Sequence, residues 1–424
     1  MWPLPKVVSP SVPQKPKNRS ILVEHPSFGL FWCARGASTL AFQMQAVAVG
    51  WQIYALTHST FELGMIGLAQ FLPMVLLTLV TGHAADHYDR RKIAAMAMAV
   101  QGLVIGALAL GSWGHWLRPA GIFTAVALIG AARSFERPAT QALMPGLVPK
   151  ALLPKAIAWA AACFETASIV GPAVGGLLYA FGAAVPYGLA AALALAGAGV
   201  AMMIRYERSA WEREPATAKS LFSGLHFIRR SPVLLGSVSL DLFAVLLGGA
   251  TALLPAYARD ILGVGSWGLG VLRAAPAVGS LAMSAFLVRH PLGRRVGHKM
   301  FAAVFAFGLA TVVFGLSRSP LLSFVALFAL GAADIVSVVI RSSLVQLGTP
   351  DEMRGRVSAV NTLFIGTSNQ LGEFESGVTA SMFGIVPATV LGGLGTIVIG
   401  ALWMRLFPPL VAFDRLDGGG KGGA

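Results

Sequence analysis

Long apolar runs separated by short polar breaks fill the chain from residue 28 to residue 407. A membrane-spanning helix needs about 20 mostly apolar residues. Twelve runs qualify: 28–52, 61–81, 93–112, 119–138, 156–180, 186–204, 232–256, 267–288, 300–317, 320–343, 357–383 and 385–407. Some breaks, such as Arg318-Ser319-Pro320, are so short that the helices on either side form antiparallel hairpins. The longest internal polar stretch, 205–231, holds Arg205, Arg208, Arg213, Lys219, Arg229 and Arg230 with three glutamates, and it follows the sixth run. The pattern predicts an all-α membrane protein of twelve transmembrane helices in two six-helix bundles, 27–204 and 232–407, joined by a central cytoplasmic loop. Residues 1–26 are Pro-rich and basic and are expected to form a disordered cytoplasmic tail. Residues 408–424, ending GGGKGGA, are expected to form a flexible one.

Composition agrees with this pattern. Of 424 residues, 56% are hydrophobic and 12% charged, against about 25% charged in soluble domains. The net charge is +14. Most bases sit singly or in pairs between apolar runs, without a basic, aromatic-interleaved helix face, so the reading is membrane lipid as partner and no nucleic acid. With both termini in the cytoplasm, most of the 32 Lys and Arg fall on that side, while the opposite loops hold Arg118, Arg259 and Arg318. Trp51, Trp113, Trp116 and Trp267 then lie near the outer ends, as an aromatic belt. Cys33 and Cys163 lie inside apolar runs and read as small buried thiols. Glycines within runs, such as Gly102-x-x-x-Gly106, let helices approach closely in lipid.

Charges well inside the runs mark a functional interior, because each costs a few kcal/mol or more unless it faces a cavity or a partner. They are Arg35 in run 1, Glu165 in run 5, Asp241 in run 7, Arg273 in run 8, Asp334 and Arg341 in run 10, and Glu373 and Glu375 in run 11. At about 1.5 Å per residue, Arg35, Glu165, Asp241 and Arg341 lie roughly 8–15 Å from the cytoplasmic ends, with Asp334 slightly deeper. Arg273, Glu373 and Glu375 fall in the outer half, which suggests two polar layers around a midplane site. Arg273 is expected to pair with Glu373 or Glu375 when the outer side is closed. A carboxylate in an apolar cavity holds a proton more readily than one in water. Asp241 and Glu165 are therefore candidates for proton coupling; acids paired to bases throughout the cycle are the competing reading. Gln43, Gln45, Asn361, Asn369 and Gln370 are candidate cargo contacts, or cross-links between helices.

The polar turn 82–92, GHAADHYDRRK, separates the apolar stretches 65–80 and 93–111. Any cytoplasmic loop gathers Arg and Lys. The spacing here, Gly82, three residues, Asp86, then Asp89-Arg90-Arg91-Lys92, resembles the loop between the second and third helices of the major facilitator superfamily. In that fold helices 3, 6, 9 and 12 lie outside, and runs 3, 6, 9 and 12 carry no charge well inside the membrane. The resemblance implies an inner gate. Gly82 permits close packing, Asp86 accepts hydrogen bonds from a helix end in the other half or from Arg133 or Arg137, and Arg90 and Arg91 pair with Glu136 or Asp89. The counterpart between runs 8 and 9, Arg289-His-Pro-Leu-Gly293-Arg294-Arg295, lacks the aspartate. Gly171-Pro172-Ala-Val-Gly175-Gly176 resembles the end of an antiporter motif, in which the proline bends the helix and the glycines pack against the opposite half. Ala158 and Ala167 stand where that motif has earlier glycines, so the match is partial.

Three further segments are similar to the enterobactin-exporter-like branch, the transmembrane secretion effector family. They are QFLPMV, the linking segment 133–149 (RSFERPATQALMPGLVP), and 349–377 with PDEMRGRVSAVN and SNQLGEFESG. The resemblance implies proton-coupled export of an amphiphilic small molecule, a siderophore, macrolide or similar drug, by alternating access in a bacterial cytoplasmic membrane. Its implied partners are cargo, protons and lipid, with a monomer as the working unit. Import or facilitated diffusion by the same fold, or a non-transporting sensor, is the alternative. A phosphate-binding Gly-x-x-x-x-Gly-Lys loop and a nucleophile elbow are missing from the sequence, so neither ATP-driven transport nor an enzyme is expected, and no cofactor. His83 and His87 are four apart, but Ala84 stands where a zinc helix has glutamate. They read as loop histidines, and no metal is expected.

Overall fold

The computed structural model describes residues 21–205 and 218–415, and it is helical throughout. Each of the twelve apolar runs becomes a long helical segment. These are α1 (Pro26–Thr57), α2 (Thr60–His87), α3 (Arg90–Trp113), α4 (Pro119–Leu143), α5 (Leu153–Tyr179), α6 (Ala184–Met202), α7 (Pro232–Ile261), α8 (Gly265–Arg289), α9 (Val296–Leu316), α10 (Pro320–Leu347), α11 (Asp351–Phe383) and α12 (Ile385–Leu406). Among the described residues nine of them, all but α1, α4 and α11, are long and apolar enough to cross a membrane. Those three are as long, at 32, 25 and 33 residues, but more polar, because they carry interior side chains.

Local chemistry sets the helix starts. Proline stands in the first turn of α1, α4, α7 and α10, where its missing N–H has no intrahelical partner to lose. Ser59 caps α2 by accepting from the Glu62 amide at 3.3 Å, and Ser231 caps α7 through the Leu234 amide at 3.4 Å.

The packing repeats between halves. In the first, α1 packs on α5 and α6, α2 on α4, and α3 on α6; in the second, α7 packs on α11 and α12, α8 on α10, and α9 on α12. Adding six to each first-half number generates the second, the mark of an internal repeat. The halves meet through α2 on α11 and α5 on α8. The outer helices face lipid along regular stripes: on α3, Met96, Leu103 and Leu110 stand seven residues apart and are exposed.

Several expectations need correction. The segment 82–92 is not a turn throughout: α2 runs on to His87, so the break shrinks to Tyr88 and Asp89. Arg133, Glu136 and Arg137 do not lie in a link, because α4 continues through Pro138 to Leu143; the connection proper is two single 3-10 turns, Met144–Gly146 and Lys150–Leu152. The run at 232–256 extends to Ile261 but breaks at Gly248-Gly249 and ends in a π-helical turn, Tyr257–Ile261. Gly249 lies against the Gly372 carbonyl of α11, an approach that a Cβ would block.

The stretch 205–231 is not all loop, since Ala218–Arg230 is a helix packed on α11. Residues 21–24 of the expected disordered tail form a helical turn with Ile21 buried. Residues 408–415 of the expected flexible one fold against α9: Pro408–Val411 is helical, and the Arg295 amide donates to Asp414 Oδ1 at 2.9 Å. Both cysteines are free, but only Cys163 is buried; Cys33 is exposed.

Candidate functional site

At the motif end, the end that carries 82–92, Asp89 does two jobs. Its side chain caps α3 by accepting from the Arg91 amide at 3.0 Å, and it pairs with the Arg91 guanidinium at 3.2 Å. Arg91 also donates to the Ile204 carbonyl at the end of α6, and Arg90 to the Ala142 carbonyl at the end of α4, both at 3.0 Å. Arg90 thus satisfies a last-turn carbonyl of α4 and Arg91 one just past the end of α6, where positive charge is favoured, and together they tie α3, α4 and α6 into one unit. Gly82 is half-buried and Lys92 exposed; the side chain of Asp86 lies outside the described residues. Asp89→Ala is expected to lower stability by about 1 kcal/mol through loss of the cap, with Asp89→Asn retaining most of it. Thermal unfolding of the detergent-solubilised variants checks this.

Arg90 does not pair with Glu136, because that carboxylate sits deep in the first half and is committed elsewhere. Its Oε1 accepts from Ser38 Oγ and its Oε2 from Gln101 Nε2, both at 2.7 Å. Arg133 Nη1 approaches the same Oε2 at 4.0 Å, and the Arg133 guanidinium lies 3.7 Å from the centre of the Phe42 ring. Arg35 and Arg137 are close enough to act on Arg133 electrostatically.

In the second half Arg341 does not interact along its own helix with Asp334. It forms an ion pair with Asp241 of α7, both side chains being buried. Asp334 instead shares a small cavity of about 10 Å³ with Asp241, Ser337 and the apolar Val304 and Phe307, room for about one water. Glu165 is half-buried on α5.

The far end is where the two halves close on each other. Tyr54 of α1 donates a hydrogen bond to Asp260 of α7, and Gln370 Nε2 donates to Gln70 Oε1 at 3.3 Å. Gly64 meets Gly377, Gly67 meets Glu373, and Gly176 meets Gly270, each so closely that a Cβ would strike the partner. Among the described residues Arg273 forms no ion pair with either glutamate: Glu373 lies only within its electrostatic reach, and Glu375 accepts from Thr379 at 2.7 Å. In the other motif, Gly171 and Gly175 pack on Gln43 and Met44 of α1, within their own half. Gly176, and Pro172 through its carbonyl, meet α8; α5 continues unbroken through Pro172.

Toward the motif end the pattern changes. Between Lys155 and Thr166 of α5 only Ala156, Ala160 and Cys163 are buried, one narrow stripe, while Ala158, Ala161 and Ala162 are bare. Over this stretch α5 meets its neighbours along that one stripe and is largely bare around the rest of its circumference.

The candidate cargo contacts do not converge. Gln45 is fully buried, its Oε1 without a hydrogen-bond partner. Asn369 is exposed and donates to its own helix at Ile365, Gln370 bridges the halves, and Asn361 Oδ1 is buried and unpartnered. Sequence reasoning missed Glu136 as an interior acid and the Tyr54–Asp260 link. The spacing of Arg133 and Arg137, four apart with Glu136 between, was the available signal for the first; nothing in the sequence marks the second.

Two repeated bundles that touch at one end, with interior charges between them, define a multi-pass membrane transporter of the major facilitator type. The chain belongs to the transmembrane secretion effector family, whose profile matches residues 22–417. It is similar to the enterobactin exporter EntS of Citrobacter koseri, 28% identical over 409 residues, covering 94% of this chain and 96% of that protein. It is also similar to EntS of Escherichia coli O1:K1, at 29% over the same length and coverage. Its fold is that of a bacterial homologue of the human lysosomal transporter Spinster, in an inward-facing and occupied conformation (TM-score 0.72, 12% identity, covering 92% of this chain and 97% of the other). The nucleoside transporter NupG is similar in fold too (TM-score 0.68, 13% identity, 90% and 99%).

Proposed function

We propose that this protein exports an amphiphilic, siderophore-like small molecule from the bacterial cytoplasm in exchange for protons. Its halves, 27–204 and 232–407, rock about the α2–α11 and α5–α8 contacts as a monomer in the cytoplasmic membrane. The observation that carries the reading is the asymmetry between the ends: glycine-on-backbone closure at the far end and an α5 buried along one narrow stripe only toward the motif end. The bias of bases toward the motif end supports a cytoplasmic location for it, and so a conformation open to the cytoplasm. The named activity of the curated relatives supports export of a siderophore.

Because Asp241 is held by Arg341, Asp334 takes the role of proton carrier, its charge unmatched in an apolar cavity beside that pair. Asp86 and the Asp89–Arg91 unit form the inner gate. Arg273 and Glu373 strengthen the outer one.

A strain lacking this protein is expected to retain siderophore in the cytoplasm and secrete less. Expression should restore secretion, and a protonophore should abolish the restoration. Unchanged retention would count against export; restoration indifferent to the protonophore would count against proton exchange.

A further inference from the structure

Among the described residues, one cluster in the first half holds more positive charge than the carboxylate beside it neutralises. Arg133 and Arg137 on α4 both lie within electrostatic reach of Arg35 on α1 and of the Glu136 carboxylate. Glu136 is already engaged on both oxygens, by Ser38 and Gln101, and reaches Arg133 only at 4.0 Å. Arg133 Nη1 is buried with no hydrogen-bond partner. Among the described residues, the Arg35 and Arg137 side chains make no ion pair. Among the described residues three guanidinium groups face one committed carboxylate, a surplus of about two charges, and the part of it on Arg133, whose side chain is 12% exposed, is costly to leave uncompensated.

The cluster also has a direction. Arg133 and Arg137 are four apart on one face of α4, and Arg35 and Phe42, seven apart, share a face of α1. Phe42 lies under the Arg133 guanidinium at 3.7 Å, which holds that fork flat, and Arg137 is exposed. The same face of α1 carries no acid; in the second half Asp241 and Asp334 sit together in their own cavity, Glu373 lies against Gly67 of α2, and Glu375 is held by Thr379.

We propose that Arg35, Arg133 and Arg137 form a binding site for an organic anion with paired oxygens, such as a carboxylate beside a phenol oxygen, whose ring rests against Phe42. Planar guanidinium forks match such oxygen pairs in geometry as well as charge. Cargo anion and proton then occupy different halves of the transporter. This assignment rests on the export reading above for its physiological meaning, but its test does not.

Isothermal titration of the purified, detergent-solubilised protein with salicylate and with salicylamide compares a charged and an uncharged ligand of the same shape. Salicylate is expected to bind and salicylamide not. Arg133→Gln should weaken salicylate binding by about tenfold or more, and Arg133→Lys should keep part of it, since lysine supplies charge without the fork. Arg137→Gln, at an exposed position, gives the same test should Arg133→Gln not fold, and it too should weaken binding. Equal binding of the amide, or wild-type affinity in the glutamine variants, overturns the site. Siderophore export that persists unchanged in Arg133→Gln removes the site and leaves export standing. Salicylate binding in a protein that exports nothing removes the export reading and leaves the site.

Discussion

Asp241→Leu is expected to leave little folded protein in the membrane, whereas the double variant Asp241→Leu/Arg341→Met should accumulate close to the wild-type level. Arg341 is 2% exposed and Asp241 8%. The pair joins α7 to α10. Removing the carboxylate strands a guanidinium among Leu240, Ile340 and Leu344, all buried in one apolar cluster. Breaking a buried pair from one side costs about 3–5 kcal/mol, because the surviving charge remains desolvated. That is a large share of the stability of most domains. Exchanging both partners for apolar side chains of similar volume removes the charge with the partner and is often neutral or better. The measurement is the yield of monodisperse protein after detergent extraction, with thermal unfolding of whatever is recovered. An Asp241→Leu protein as abundant and stable as wild type would show that Arg341 reaches water from its place about 9 Å from the end of α10, and the pair would lose its structural role.

Gly176→Leu should instead spare folding and stop transport. A Cβ at Gly176 would meet the Ser266 carbonyl and lie 2.8 Å from the Gly270 Cα. Both are backbone atoms of α8, unable to swing aside as a side-chain tip would. The leucine therefore holds α5 and α8 apart at the far end, where the halves must touch for the cargo to stay sealed from that side. If the closed state is raised by about 3 kcal/mol, its population falls roughly a hundredfold. Export should fall with it. Gly188→Leu is the matched control, since nothing lies within 4 Å of a Cβ there. A cysteine at Ser266, in a background without Cys33 and Cys163, should react faster with a membrane-impermeant maleimide from outside in the Gly176→Leu protein. Normal export together with unchanged labelling would mean that this contact is not a gate.

These two outcomes concern residues that the sequence already marks. Asp241, Arg341 and Gly176 all stand out in the sequence, the charges by their cost in lipid and the glycine by its motif. What each touches does not stand out. Spacing makes Asp241 and Glu165 equal candidates for proton coupling; only the fold shows that Asp241 has Arg341 as its partner from another helix, while Asp334 and Glu165 have no ion-pair partner among the described residues. Gly171, Gly175 and Gly176 lie within six residues, yet two face their own half and one faces the other. A shift of one residue turns a helical side chain by about 100°, enough to change its neighbour from α1 to α8.

Sequence by itself determined the number and order of the helical runs, the division into six plus six, the base asymmetry and the membership of a transporter family. These depend on local quantities: run length against membrane thickness, the cost of bare charge in lipid, and the spacing of a motif. Even the N-cap role of Asp89 depends only on the amide of Arg91, two residues on. Only the tertiary structure decided that Glu136 is held by Ser38 and Gln101, that Arg133 is left short of a partner, that Tyr54 reaches Asp260, and that the halves close at one end. Those facts join residues from about 35 to about 300 positions apart. The partner at such distances is set by how rigid helices rotate and slide against each other, which neither hydropathy nor spacing along the chain encodes.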